Sequence, residues 1–264
     1  MLRSIVNDVP IAALALGGVA LVLAVVLGGV WLVRRIVPAT REGFDAEVSS
    51  QMLGVVATLF GLLLAFVVVI AFQGYSDAGD NARLEADALA QVVRDSTAYS
   101  PADHARIVAA VGAYVRAVVD DEWPQLRDGR SSPKARDGID GMYAAMQSVR
   151  PNSAAASAFY DDAVRRLNDA VAARRARLSD ASGGLSAMIV ALLLVGSLVI
   201  LGYVVFIGST SGAFHALGAG TIAVVLGFSL VVLLSYNYPY SGDLAVDSGP
   251  FREGVLAQYF PAPR

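Results

Sequence analysis

Four long apolar stretches divide the chain, and none of them contains Asp, Glu, Lys or Arg. They cover residues 11–33, 52–72, 185–207 and 213–236. A helix needs about 20 apolar residues to cross the hydrocarbon core of a bilayer, where backbone groups must bond to one another. The pattern therefore predicts four transmembrane helices. Buried core helices of a soluble protein are the alternative.

A long polar segment separates the apolar stretches into two pairs. Residues 34–51 join the first pair, and a short polar turn at 208–212 joins the second. This order predicts an all-α membrane protein with four transmembrane helices as two hairpins and a helical polar insert between helices 2 and 3. The predicted segments are a first hairpin at 1–72, an extramembrane insert at 73–184, a second hairpin at 185–236 and an irregular C-terminal tail at 237–264.

The first apolar stretch could also be interpreted as a cleaved signal peptide. Its apolar core is longer than the roughly 7–15 residues typical of such a peptide. It also runs directly into Trp31, Arg34 and Arg35, which are typical of an anchor at the membrane interface. We therefore expect it to be retained as a helix.

Helix start signals recur in the insert. Ser100 precedes Pro101 as an N-cap, and Ser132 precedes Pro133 in the same way. Pro124 is expected to end the first of these helices. Two more helices are predicted, one extending the second span through 76–99 and one running from about Asn152 toward Leu178. Together these four helices predict a bundle next to the membrane.

Basic residues close to the span ends indicate the orientation, because they prefer the cytoplasmic side. The 34–51 loop carries Arg34, Arg35 and Arg41. The opposite side carries Arg3, Arg83, Arg174, Arg175, Arg177 and Arg252. The count favours a multi-pass protein of the inner (cytoplasmic) membrane, with the insert and both termini in the cytoplasm.

Small residues recur along one side of three spans. They are Ala20, Ala24 and Gly28 in the first, Gly54, Thr58, Gly61 and Ala65 in the second, and Ala216, Gly220, Ala223 and Gly227 in the fourth. Small residues allow helices to approach closely in lipid. Packing within one chain is expected to use most of these faces, and contacts between chains are the alternative.

Composition agrees with a membrane protein. Hydrophobic residues make up 56% of the chain and charged residues 16%, against about a quarter charged in soluble domains. The net charge of −3 indicates no nucleic-acid partner. The chain has no cysteine, which excludes disulfides and thiolate metal sites.

No arrangement of residues predicts an enzyme, a metal site or a cofactor site. The only two histidines, His104 and His215, are expected to be solvated or interfacial. The acidic run at 120–122 has no partner base and is expected to be a solvated helix end. The basic segment 165–178 is expected to contact anionic headgroups.

The uncharged spans disfavour a coupled pump, because transporters place polar groups in the membrane. A passive pore remains possible, since hydrophobic constrictions can gate a channel. The second span offers a suitable face at helical spacing, made of Leu59, Leu62, Phe66, Val69 and Gln73. Lipid contact is the alternative role for this face.

Three stretches resemble the bacterial bestrophin-like family, a group of four-helix membrane proteins catalogued as a domain of unknown function. They are "LFGLLLAFVVVIAFQGYSDA" at 59–78, "YVRAVVDDEWPQLRDGR" at 114–130 and "YNYPYSGDLAVDSGPFR" at 236–252. The family's C-terminal element is matched here by Tyr238, Pro239, Tyr240, Ser241, Gly242 and Asp243, followed by Pro250, Phe251 and Arg252.

The resemblance implies a homo-oligomer, because bestrophins are pentameric anion channels. It further implies that the second helix lines the pore, that anions are the permeant species and that the insert is cytosolic. No acidic calcium clasp is present, so calcium gating is not expected. A non-conducting membrane scaffold or sensor, whose insert binds a partner, is the alternative function.

The C-terminal tail suggests a structural role of its own. Its tyrosines are expected in the headgroup layer, where aromatic rings with polar tips settle. Pro239 ends the last helix and Gly242 turns the chain. The tail is then expected to pack against the insert through Leu244, Val246 and Phe251.

Overall fold

The structure is a computed structural model of the chain, and it describes residues 2–36, 46–206 and 212–260. Across these three ranges the secondary structure is helical and contains no β-strand. The α-helices are α1 (Leu2–Asp8), α2 (Ile11–Ile36), α3 (Ala46–Asp95), α4 (Pro101–Ala117), α5 (Trp123–Leu126), α6 (Pro133–Ser148), α7 (Ala154–Ser182), α8 (Ala187–Phe206) and α9 (Gly212–Tyr236). A π-helical turn spans Val118–Glu122, and 3₁₀ helices span Ser96–Ala98, Gly249–Arg252 and Gly254–Tyr259.

The chain divides into two compact units. The membrane unit is drawn from Asp8–Gln73 and Leu185–Asn237. The insert unit is drawn from 2–7, Gly74–Gly184 and 238–260. The division groups the two hairpins together and adds both chain termini to the insert.

The four predicted spans correspond to α2, α3, α8 and α9, although α8 begins at Ala187 and residue 207 of the third span lies outside the described residues. Each lies in a helical segment long and apolar enough to cross a membrane. This confirms the all-α fold with four transmembrane helices. The middle of the 34–51 loop, with Arg41, and most of the 208–212 turn lie outside the described residues.

Glycines bring α2 and α9 close together in the membrane unit. A Cβ atom at Gly18 would lie 2.9 Å from Cγ2 of Val231, and one at Gly227 would lie 3.3 Å from Cα of Val19. Ala223, one turn before Gly227, is fully buried. The small-residue face of the fourth span therefore packs within the chain.

The small-residue faces of the first two spans do not pack within the chain, so the prediction is wrong for them. Ala20, Ala24 and Gly28 are exposed, and α2 buries Val26 and Val30 instead. Each valine lies two residues after a residue of the predicted face, which corresponds to about 200° around the helix axis. On α3 the residues Gly54, Thr58, Gly61 and Ala65 are likewise exposed.

The transmembrane part of α3 packs on α8 through a ring and a glycine. Phe60, Leu64, Val67 and Ala71 are buried along one side of α3. A Cβ atom at Gly196 of α8 would overlap with Cε2 of Phe60. The ring therefore fills the space that a side chain at position 196 would need.

Gly196→Ala is expected to lower the free energy of unfolding by about 1–3 kcal/mol, the usual range for overpacking. Gly202→Ala is the matched control on the same helix, because nothing lies within 4 Å of its added Cβ. Thermal unfolding in detergent measures both. Equal midpoints for the two variants would contradict the close contact with Phe60.

Side-chain caps start the helices of the insert, as the sequence predicts for two of them. The Asp103 N–H donates to Ser100 Oγ at 3.2 Å, and the Ala135 N–H donates to Ser132 Oγ at 3.3 Å. Helix α7 begins at Ala154 after the cap Ser153 and extends to Ser182, four residues beyond its predicted end. The second span continues into the insert as one helix, which ends at Asp95.

Pro124 does not end its helix, contrary to the sequence prediction. A proline lacks a backbone N–H and crowds the carbonyl group four residues earlier. The π turn widens the backbone ahead of it, and the Trp123 N–H bonds to the carbonyl oxygen of Val118, five residues back. The chain then remains helical to Leu126. Such π turns are frequent at functional sites.

Both chain termini contribute to the insert unit. Arg3 Nη2 donates to the Ala181 carbonyl at 2.6 Å, and Asn7 Nδ2 donates to the Arg127 carbonyl at 3.0 Å. The Gly242 N–H donates to Asn7 Oδ1 at 3.3 Å. Two spans separate the insert from each terminal segment, and four spans separate the two terminal segments from one another. An even number of crossings places them on the same side of a membrane, in agreement with the four-helix topology.

Candidate functional site

A cluster of four charged side chains lies in the interior of the insert unit. Glu85, Glu122 and Arg177 are 0% exposed, and Arg174 is 6% exposed. Glu85 comes from α3 and Glu122 from the π turn, while both arginines come from α7. Since an isolated buried charge is strongly unfavourable, the fold must pair these groups.

Arg177 joins the two carboxylates. Its Nε donates to Glu85 Oε2 at 2.8 Å, and its Nη2 donates to Glu85 Oε1 at 3.2 Å and to Glu122 Oε1 at 2.8 Å. Arg174 forms a two-pronged pair with Glu122, through Nε at 3.1 Å and Nη2 at 2.5 Å. Two positive and two negative groups therefore balance in the interior.

Neutral donors complete the coordination of the two carboxylates. Tyr114 Oη donates to Glu85 Oε1 at 2.5 Å, and the Ser132 N–H donates to Glu122 Oε2 at 3.1 Å. Ser132 also caps α6 and donates through its hydroxyl to Asp121. The cluster thus links α3, α4, the π turn, α6 and α7, and it fixes how these elements pack together.

Aromatic rings cover the outer side of Arg177. Its Cζ atom lies 5.0 Å from the centroid of the Trp123 ring and 5.8 Å from that of Phe251. Among the described groups, its Nη1 atom has no hydrogen-bond partner. A guanidinium over aromatic faces gains about 2 kcal/mol when desolvated, which compensates in part for the missing bond.

The pairing is reflected in the ionisation of the cluster. Burial alone would raise the pKa of Glu122, but the bonds from Arg174 and the charge of Arg177 lower it below its usual range. Burial alone would lower the pKa of Arg177, but the charge of Glu85 raises it. Burial, followed by the Glu85 charge, raises the pKa of Tyr114. Arg177, Glu122 and the neutral phenol of Tyr114 therefore keep their forms through the physiological range.

The C-terminal motif packs directly beside this cluster. Phe251 is 0% exposed, and Trp123 Nε1 donates to the Val246 carbonyl at 3.1 Å. Phe251 and Val246 therefore pack against the insert, as the sequence predicts. Leu244 is exposed, so the prediction is wrong for Leu244. Leu256, farther along the tail, is buried in the same core.

Tyr240 is buried in protein and does not lie in a headgroup layer, which corrects the sequence prediction. Its hydroxyl donates to the Ala78 carbonyl at 2.9 Å, and its ring lies 5.7 Å from that of Trp123 in an edge-on arrangement. Burial raises the pKa of Tyr240. Tyr238 remains half-buried with Arg3 over its ring.

A tight turn follows Tyr240. Ser241 Oγ donates to the Arg127 carbonyl at 2.9 Å. Gly242 has a φ of +73°, and a Cβ there would lie 2.8 Å from the Val6 carbonyl oxygen. Glycine is required on both grounds. Pro239 is buried ahead of this turn, while Asp243 is exposed after it.

The acidic run at 120–122 is only partly solvated, so that prediction is wrong for Glu122. The π turn directs Glu122 inward, while Asp121 stays near the surface and accepts a bond from Lys134 at 3.1 Å. The expectation of headgroup contact is likewise wrong for Arg174 and Arg177. They lie three residues apart on the inner face of α7, and Arg175 between them is exposed.

The two histidines differ from one another. His104 is half-buried, with Nδ1 2.7 Å from Ser96 Oγ. His215 is buried in the membrane unit, with Nε2 2.7 Å from the Val204 carbonyl oxygen. The expectation of a solvated or interfacial side chain is therefore wrong for His215, because packing of α9 on α8 encloses its ring.

The candidate pore face of α3 is uncovered in the single chain. Its residues, all exposed, are Leu59, Leu62, Phe66, Val69 and Gln73. They lie away from the side that packs on α8. They belong to the membrane unit, whereas the buried charge cluster belongs to the insert unit.

Sequence reasoning missed the charge cluster almost entirely. The signal available to it was the i, i+3 spacing of Arg174 and Arg177, together with Glu85 among apolar positions of α3. That spacing does not predict which glutamate pairs with which arginine. The convergence depends on the packing of distant helices.

Comparison with known protein families gives a match over most of the chain. A family model described as Bestrophin-like domain matches residues 20–251, which is most of the chain. No curated protein and no solved structure matches the chain.

Proposed function

The chain belongs to the bestrophin-like family, and from this premise we propose that it is an oligomeric channel in which α3 surrounds the pore. Anions are the proposed permeant species and a pentamer the proposed assembly, both by analogy with bestrophins. The proposed location is the inner membrane, with the insert and both termini in the cytoplasm. Lipid then covers the remaining outer faces of the spans.

The exposed face of α3 is the observation that carries the proposal. Leu59, Leu62 and Phe66 are each more than half exposed, although they lie in the middle of a transmembrane segment. On the same helix, Gly54 and Gly61 have nothing within 4 Å of an added Cβ. These two glycines have no packing neighbour within the chain. They would therefore allow the α3 helices of adjacent copies to approach closely.

The chemistry of this face favours a passive pore. It offers apolar side chains followed by the amide of Gln73, without a charge that could relay protons. An apolar ring of this kind can close a pore by excluding water. Bestrophins, to which this family is likened, are generally channels and not enzymes, and we propose no catalytic activity.

The experiment combines assembly and conduction. Purified protein in detergent is expected to have the mass of an oligomer, and in planar bilayers it is expected to carry current. A monomer without current would overturn the proposal. An oligomer without current would overturn conduction alone and favour the scaffold described below.

Phe66→Ala is expected to raise single-channel conductance, because it removes a bulky ring from the proposed constriction. Phe228→Ala on α9 is the matched control, since Phe66 and Phe228 are 60% and 55% exposed. Recordings in symmetric chloride measure both variants. A change of the same size in both would mean that Phe66 faces lipid.

The second candidate is a non-conducting scaffold or sensor whose insert binds a partner. The compact insert unit, with its own core, favours it. A fragment of 76–182 is a poor reagent for this test, because Phe251 and Tyr240 complete the interior. Binding measurements therefore require the intact chain. Failure to conduct, together with saturable binding of a purified partner, would support this function over the channel.

A further inference from the structure

A further buried carboxylate lies at the end of α3, in the insert unit. Asp95 is the last residue of this helix and is 3% exposed. Its Oδ1 atom accepts a hydrogen bond from Gln91 Nε2 at 2.8 Å, whereas its Oδ2 atom has no partner among the described groups. Two arginines hold Glu122, but a neutral amide holds Asp95. The negative charge of Asp95 is therefore poorly compensated.

An acidic side chain of α7 faces Asp95. Asp162 lies within hydrogen-bonding reach of it. Arg165 pairs with Asp162 at 2.7 Å and Arg166 approaches it at 3.6 Å, and these arginines lower the pKa of Asp162. Two carboxylates that share a site repel each other when both are ionised, so one of them retains its proton more firmly. The arginines keep Asp162 ionised, which leaves the proton to Asp95.

The environment of Asp95 acts in the same direction. Burial raises the pKa of Asp95, and the charge of Asp162 adds to this effect. The bond from Gln91 and the charge of Arg166 oppose the rise without reversing it. The C-terminal end of a helix also disfavours a negative charge. The two acids therefore have pKa values that are moved apart, one above and one below the ordinary value of an aspartate.

Two tyrosines and a histidine complete the surroundings of Asp95. Tyr99 Oη is buried, and burial followed by the Asp95 charge raises the pKa of Tyr99 to about 12, so the phenol stays neutral. The Tyr99 ring lies 6.4 Å from that of Tyr160 on α7. On α4, His104 Nδ1 lies 2.7 Å from Ser96 Oγ, whose own proton goes to a backbone carbonyl at 2.6 Å. His104 is therefore the titratable group that α4 places next to this site.

We infer that Asp95 is a proton-binding site that fastens the end of α3 to α7. A proton taken from solvent occupies Oδ2, and the resulting O–H group donates to the Asp162 carboxylate. The bound proton removes the charge of Asp95 and gives its unpartnered oxygen a hydrogen bond. When the proton leaves, two negative groups face each other next to the 3₁₀ helix Ser96–Ala98, and the contact between the two helices weakens.

The pH dependence of this contact has a defined sign. The folded chain binds the proton more tightly than the unfolded chain, because folding raises the pKa of Asp95. The stabilisation is complete below pH 3.8, the ordinary pKa of the side chain, and is lost as the pH rises through the raised value. Acid therefore closes the contact and alkali loosens it. This site requires neither conduction nor a particular number of subunits.

Asp95→Asn in the full chain tests the inference, because asparagine resembles the protonated acid at every pH. Its oxygen can accept from Gln91 and its amide can donate to Asp162. Relative to the wild type in detergent, its midpoint of thermal unfolding is expected to be unchanged at about pH 4 and higher by about 2–4 °C at about pH 8. Asp87→Asn, which alters an exposed aspartate of the same helix, is the matched control. Its difference from the wild type is expected to be the same at both pH values.

Infrared spectroscopy follows the proton itself. The absorption of protonated carboxyl groups is recorded during a titration from about pH 8 to about pH 4. We expect an early component that Asp95→Asn removes and Asp87→Asn retains. Asp162→Asn is expected to move this component to lower pH, because it removes the neighbouring negative charge. His104→Gln is expected to leave it in place, although histidine side chains titrate in the same range.

Three results would overturn the inference. The first is an Asp95→Asn variant that is destabilised equally at both pH values. The second is an early carboxyl component that persists without Asp95, and the third is a pH dependence that disappears in His104→Gln. If Asp95→Asn does not fold, the Asp162→Asn titration decides, since a component that stays at its wild-type pH refutes the pairing of the two acids.

Discussion

Replacing Arg177 with Met is expected to lower the free energy of unfolding by about 3–5 kcal/mol, the usual effect of removing one partner from a buried ion pair. The substitution keeps a long side chain but leaves Glu85 without a charged partner. Glu122 retains Arg174, so most of the loss arises at Glu85. Denaturant unfolding of the full chain in detergent measures the change.

Arg175→Met is the matched control, because it alters the same residue type on the same helix at an exposed position. Its effect is expected to stay within about 0.5 kcal/mol. The double variant Arg177→Met with Glu85→Gln is expected to recover part of the loss, since the carboxylate left without a partner is then neutral. An Arg177→Met effect no larger than that of Arg175→Met would refute the buried network.

Phe251→Ala is expected to cost about 3–5 kcal/mol, the range for deleting a buried phenylalanine ring. The ring is fully buried, stands 5.6 Å from Trp123 and covers the guanidinium of Arg177. Its loss would open a cavity and admit water to the charge cluster. Unfolding in detergent and the rate of limited proteolysis of the tail measure the two consequences.

The control for this variant is Phe159→Ala, because Phe159 is 47% exposed on α7 and fills no interior site. It is expected to change stability by less than about 0.5 kcal/mol. Equal effects of the two variants, or a tail that is cleaved no faster in Phe251→Ala, would mean that the C-terminal motif does not stabilise the insert.

The position of Glu85 relates the charge cluster to the proposed channel. Glu85 lies twelve residues after Gln73 on the same continuous helix. The cluster holds α3 to α7 and to the C-terminal tail at this point. We expect substitutions in the cluster that leave the protein folded to alter open probability more than conductance, because they act away from the proposed constriction.

The sequence alone determined the transmembrane helices and most helix starts. Both are local properties: a span needs only a run of apolar residues of sufficient length, and Ser100 or Ser132 caps the helix that it precedes. The resemblance to the bestrophin-like family could also be recognised from the sequence, since it depends on residues that are neighbours in the chain.

Only the tertiary structure decided which faces of those helices meet. Glu85, Glu122 and Arg177 come from parts of the chain up to 92 residues apart, and a charged residue in a polar segment has the same local pattern whether it is solvated or buried. The inward direction of the Glu122 side chain depends on the π turn before Pro124. The spacing of apolar residues in the sequence does not predict such a turn. Burial of Tyr240 and exposure of Gly61 likewise follow from packing between segments distant in sequence, because a helix presents all its faces equally until a neighbour covers one.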